Sequence, residues 1–83
     1  MRDWCLYIHH RAVNYGLWNY PRPVSYLLSI VAEKANKACE ADRCGDYEQF
    51  EKLIADIFIL LFDMCGYMTI DIDEVIKERI QNK

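Results

Sequence analysis

Residues 46–66 read DYEQFEKLIADIFILLFDMCG, and this stretch decides the fold class. Asp46 is followed three residues later by Gln49, a variant of the capping box that starts helices. Phe50, Leu53, Ile54, Ile57, Phe58, Leu61, Met64 and Cys65 then recur at helical spacing and share one face. Ile59, Leu60 and Phe62 put further apolar surface on the other sides. A helix apolar nearly all round is buried on several sides, at a bundle centre or in a subunit interface. Ile57, Phe58, Leu61 and Phe62 are the residues expected at a dimer contact. Gly66 is expected to end the helix. The uninterrupted apolar run, residues 57–62, is far short of the ~20 residues a membrane span requires.

The flanks of this helix read the same way. Downstream, Asp71 and Glu74 form a second capping box, with Ile72, Val75, Ile76 and Ile80 as the buried face of a last helix. Upstream, Pro23 suits a first helical turn, because its missing N–H needs no partner there. Val24, Leu27, Leu28, Val31, Ala35 and Ala38 give that helix its apolar stripe, and Gly45 its stop. Asp3 is expected to cap a first helix striped by Trp4, Ile8, Ala12 and Tyr15 and ended by Gly16. Residues 17–22, with Trp18, Tyr20 and Pro21, read as a loop. No sustained alternation or hairpin dipeptide signals a strand. The expectation is one all-α domain over residues 1–83, a small four-helix bundle.

Composition sharpens this. The chain has 83 residues, 53% of them hydrophobic, with three Gly and two Pro. That excludes a disordered chain, and a domain so small buries only about 60–65% of its unfolded surface. The surplus of apolar residues therefore points to a homodimer. Residues 1–43 hold six basic and four acidic side chains, and residues 44–83 four basic and nine acidic. The acidic half argues against nucleic-acid binding. No leader-like apolar segment follows Arg2 and Asp3, so the expected location is cytoplasmic, with no membrane attachment. Cys5, Cys39, Cys44 and Cys65 contain no C-x-x-C pair and are expected to be reduced, mostly buried thiols. His9 and His10 are adjacent, so they point about 100° apart, and no third group in the sequence orients either.

Four charges interrupt the apolar pattern. Asp56 and Asp63 are seven apart on the third helix, two turns along one face. Lys34 and Lys37 fall on or near the core side of the second. A buried unpaired carboxylate costs several kcal/mol, so each needs a partner. Interhelical pairing of these lysines with these aspartates satisfies the rule. So does a polar pocket between the two helices, and the two arrangements are compatible.

The chain resembles the MazG-like, all-α nucleoside triphosphate pyrophosphohydrolase family, especially its small phage-type members. Residues 10–18, HRAVNYGLW, followed by Pro21 and Arg22, resemble the family's first helix and its Gly-Trp-Trp loop. Residues 55–67, ADIFILLFDMCGY, resemble the third helix, and residues 69–80, TIDIDEVIKERI, the last. The resemblance implies a dimeric helical bundle whose Mg²⁺ ions sit on Glu-x-x-Glu and Glu-x-x-Asp motifs of the second and third helices. This chain departs there. Counting back from Arg43, the first motif falls on Lys34 and Lys37. A slip of one residue gives Glu33 and Asn36 instead. In the second motif Leu53 replaces Glu and only Asp56 remains. The family's Asn-x-x-Arg tail is matched only by Asn82 before the sequence ends at Lys83.

One carboxylate cannot assemble such a cluster, and two lysines beside it repel Mg²⁺. What the resemblance implies is the fold without the catalysis: no catalytic residues, no metal ligands and no cofactor. Lys34, Lys37, Asp56, Asp63 and Trp18 are left as a degenerate pocket. The expected function is binding: a phage or mobile-element protein that inhibits a host system, such as an anti-defence or anti-CRISPR protein, by protein–protein contact. Exposed Trp4, Tyr7, Trp18, Tyr20, Tyr26 and Tyr47 are its candidate hot spots. The alternatives are nucleotide binding without metal, with Lys34 and Lys37 taking the place of Mg²⁺, and a residual Mg²⁺-dependent pyrophosphohydrolase using Glu33, Asp56 and Asp63 across a dimer.

Overall fold

Ala41 and Asp42 leave their carbonyls unpaired where a helix must stop, and the next two residues take them up. Gly45, at φ 73°, donates its N–H to Asp42, and Asp46 donates to Ala41 at 2.9 Å. This is a Schellman closure, and the left-handed residue it requires is the expected glycine. The computed structural model describes residues 2–16, 18 and 23–81. Its helices are α1 (Arg2–Asn14), α2 (Val24–Cys44), α3 (Tyr47–Tyr67) and α4 (Ile72–Gln81). No strand occurs among the described residues, so the all-α class is as expected. Among the same residues no single helix is long and apolar enough to cross a membrane. The loop expected at 17–22 lies outside the described residues except for Trp18, as do Asn82 and Lys83.

The chain divides into two compact units, Met1–Asn19 with Phe62–Lys83, and Tyr20–Leu61. In the second unit, α2 and the first part of α3 form an antiparallel hairpin. Pro23 is the residue before α2 rather than its first turn, and its carbonyl accepts from Tyr26 and Leu27. Ala38 and Ala41 of α2 bury Leu53 of α3, with Phe50 and Ile54 packed alongside. Two alanines facing one leucine let the helices interdigitate closely. Asp46 caps α3 as expected, accepting the Gln49 N–H at 3.2 Å. Leu28 and Ala35 of the expected α2 stripe are exposed.

The first unit corrects several expectations. Asp3 lies inside the first turn of α1, where it complements the helix dipole instead of capping. The buried positions of α1 are Cys5 and Ala12, while Trp4 and Tyr15 are 60% and 72% exposed. The inward face is thus the small-residue face and the aromatic face is outward. Gly66 does not end α3, which runs on to Tyr67. A Cβ at Gly66 would lie 2.6 Å from His9 Cβ and 2.7 Å from the Cys5 carbonyl oxygen. Gly66 is there to let α1 reach the α3 backbone. The expected buried face of α4 is exposed, with Val75, Ile76 and Ile80 all open and no residue of the helix buried. Asp71 does cap it, accepting from Glu74 N–H at 3.3 Å.

The closure of α3 falls on a residue ill suited to it. Ile70 donates to Cys65 and Thr69 to Gly66, the Schellman pattern again, with Thr69 at φ 54°. A β-branched residue in the left-handed region costs about 1–2 kcal/mol. Thr69→Gly should therefore raise the melting temperature by a few degrees, read by thermal denaturation.

Candidate functional site

The expected pocket residues fall in two places, one in each unit. On the hairpin, Lys34 Nζ donates to Asp56 Oδ2 at 3.3 Å, the interhelical pair expected from the charge pattern. Both side chains are partly exposed, so the pair is screened and contributes at most about 1 kcal/mol. Lys37 does not join it, pairing with Glu33 one turn back at 3.5 Å on the exposed surface. Leu53 is in the hydrophobic core with Ala38 and Ala41. The four positions where the resemblance puts carboxylates are thus held by two lysines, a core leucine and an aspartate already paired to one of the lysines. These residues do not fit a Mg²⁺ cluster.

Asp63 is elsewhere, in the other unit, with different company. It is the buried charged side chain among the described residues, at 4% exposure. Its Oδ1 is 2.9 Å from His9 Nδ1. The Trp18 indole N–H lies 3.0 and 3.2 Å from its two oxygens. In the tautomer that carries its proton on Nδ1, His9 donates to this oxygen. Trp18 stacks on Tyr67, with ring centroids 4.2 Å apart and planes within 9°, and His9 meets both rings edge-on. The third group that orients His9 is therefore Asp63, and the expectation that none exists is corrected. His9 and Tyr67 were not among the expected site residues.

An oriented histidine is half of a nucleophilic pair, and Cys5 stands one turn before it on α1. The Cys5 thiol, however, stands near Cys65, and the two perturb each other. Burial pushes both thiols above their ordinary range. The contact with Cys65 offsets part of this at Cys5, and the neighbouring Cys5 adds to it at Cys65. Such thiols are poor nucleophiles at neutral pH. Cys39 and Cys44 are exposed, so only half of the thiols are buried, fewer than expected. Among the described residues, no three His, Cys, Asp or Glu side chains converge as a metal site would need.

The outer face of α1 has a different character. Trp4 and Tyr7 meet edge to face at 6.2 Å. Arg11 donates to the hydroxyls of Tyr7 and Tyr15 at 3.2 and 3.3 Å, and its guanidinium lies over both rings. Asp3, Trp4 and Tyr7 line a shallow depression of about 380 Å³. Of the expected hot-spot aromatics, Trp4, Tyr7, Tyr26 and Tyr47 are exposed, Trp18 is packed on Tyr67, and Tyr20 lies outside the described residues. Of the expected dimer-contact residues, Phe58 is half-exposed, and Ile57, Leu61 and Phe62 are partly buried. No family model, curated protein or solved structure matches the chain.

Proposed function

We propose that the chain is a binding protein on a MazG-like scaffold without the family's catalysis, acting through protein–protein contact. The observation that carries this is the outer face of α1, where Trp4, Tyr7, Arg11 and Tyr15 are linked in a ladder that stays exposed. Trp, Tyr and Arg are the residues that dominate interface energetics. Arg11 holds two of the rings in place, which lowers the ordering cost of binding. The Lys34–Asp56 pair and the burial of Leu53 support the loss of catalysis. The resemblance to small phage-type members makes an inhibitor of a host system the specific form of the proposal. The apolar surface left open on α4 supports its working form being a homodimer.

Two measurements test the two halves. Mg²⁺-dependent pyrophosphate release from a panel of NTPs and dNTPs is expected to stay at background, and turnover would refute the loss of catalysis. Affinity capture from host lysate is expected to return one stoichiometric protein. Tyr7→Ala with Arg11→Ala should lose it, and Tyr47→Ala, on the other unit, should keep it. Capture indifferent to α1 would refute the assignment of the surface.

A further inference from the structure

We propose that Cys5 and Cys65 are a redox pair that closes to a disulfide, stapling α1 to the C-terminal end of α3. The two thiols come from opposite ends of the sequence, and both are almost fully buried, at 3% and 7% exposure. Each perturbs the ionisation of the other, so the two thiols stand near one another. The backbones around them are equally close. The position next to Cys65 is Gly66, where a Cβ would stand 2.7 Å from the Cys5 carbonyl oxygen. A disulfide demands short Cα separations, and the close approach of α1 to the α3 backbone beside Cys65 favours them.

Access is the second requirement. Both cysteines line one cavity of about 200 Å³. Part of its wall is Thr69, Ile70 and Asp71, the irregular link between α3 and α4. A small peroxide fits such a space. Cys39 and Cys44, by contrast, are exposed on α2.

The chemistry balances with hydrogen peroxide as the two-electron oxidant. One thiolate attacks a peroxide oxygen: an S–O bond forms, the O–O bond breaks, and the departing hydroxide leaves as water with the thiol's proton. The second thiol attacks the sulfenic sulfur: S–S forms, S–O breaks, and a second water departs. Two thiols lose two electrons and the peroxide becomes two waters. Burial keeps both thiols protonated, so closure is slow and answers sustained oxidation. The bridge spans most of the chain, the loop length at which a disulfide restrains the unfolded state most.

The test uses the full chain carrying Cys39→Ser and Cys44→Ser, which removes only exposed thiols. After treatment with hydrogen peroxide, both remaining thiols should resist alkylation under denaturing conditions and return with dithiothreitol. Tryptic peptides 3–11 and 53–77 should be found linked within one chain. The melting temperature should rise by about 10 °C or more. Adding Cys5→Ala should abolish both the link and the shift. Thiols that stay alkylatable, sulfinic acids formed separately at the two positions, or links only between chains would each overturn the pair.

Discussion

Gly66→Ala should melt about 10 °C below the parent chain, although alanine is the better helix former. The propensity gain from Gly to Ala inside a helix is about 1 kcal/mol. The added methyl, however, would stand 2.6 Å from His9 Cβ and 2.7 Å from the Cys5 carbonyl oxygen. Neither neighbour is the far end of a flexible side chain, so neither can swing away. Relief requires α1 to lift off α3, which loosens the packing of Cys5 and Ala12 and lengthens the His9–Asp63 bond. Overpacking of this kind costs about 1–3 kcal/mol and more where backbone opposes the clash. The net loss corresponds to a drop of this size for a domain of this length. Gly45→Ala is the control. Among the described residues nothing lies within 4 Å of a Cβ there, and the cost is that of the left-handed φ of 73°. Its loss should be smaller and should leave the His9 and Trp18 environment unchanged, as read by tryptophan fluorescence. A Gly66→Ala variant as stable as the parent would show that α1 does not rest on α3.

The same contact explains how far the sequence could be read. All four helices were legible, because Asp46 and Asp71 cap as the sequence implies and Gly16 and Gly45 take the left-handed conformation expected of them. The faces of α1 and α4 were not. On α1 the large apolar residues suggest the core stripe, whereas close helix approach selects the small ones. Cys5, His9 and Ala12 stand at helical spacing, and Cys5 and His9 are the residues that meet Gly66. Reading small residues as a contact surface would have placed His9 in the site. On α4, hydrophobic spacing shows which side is apolar but not whether anything in the same chain covers it. On α3, period alone assigned Gly66 as a stop, since a glycine that ends a helix and one that receives another helix look alike in one dimension. The lysine positions were half legible: Lys34 pairs across the hairpin, while Lys37, three residues on, turns to Glu33.

Asp56 and Asp63 look equivalent in the sequence, and their replacement should differ severalfold. Asp56 is half-exposed, and among the described residues its partner is Lys34, in a screened contact. Asp56→Asn should therefore cost no more than about 1 kcal/mol. Asp63 is almost wholly buried and accepts from His9 and, on both of its oxygens, from the one N–H of the Trp18 indole. Asp63→Ala leaves two donors facing a cavity, and each unsatisfied buried donor costs about 1–3 kcal/mol. The sum, about 3–5 kcal/mol, is a large part of the stability of a small domain. Asp63→Asn keeps the shape but turns an amide N–H₂ toward one of the donors, so it should fall between. Trp18→Phe keeps a ring over Tyr67 and removes the N–H together with the five-membered ring that carries it. Its cost should be lower in the Asp63→Ala background than alone by about 1 kcal/mol, since the bond is already gone there and only the lost ring area remains. Denaturant titration of the four variants and the double variant reads all of these terms. Equal costs at Asp56 and Asp63 would mean that the carboxylate on α1's side of the chain is solvated, and that His9 and Trp18 do not depend on it.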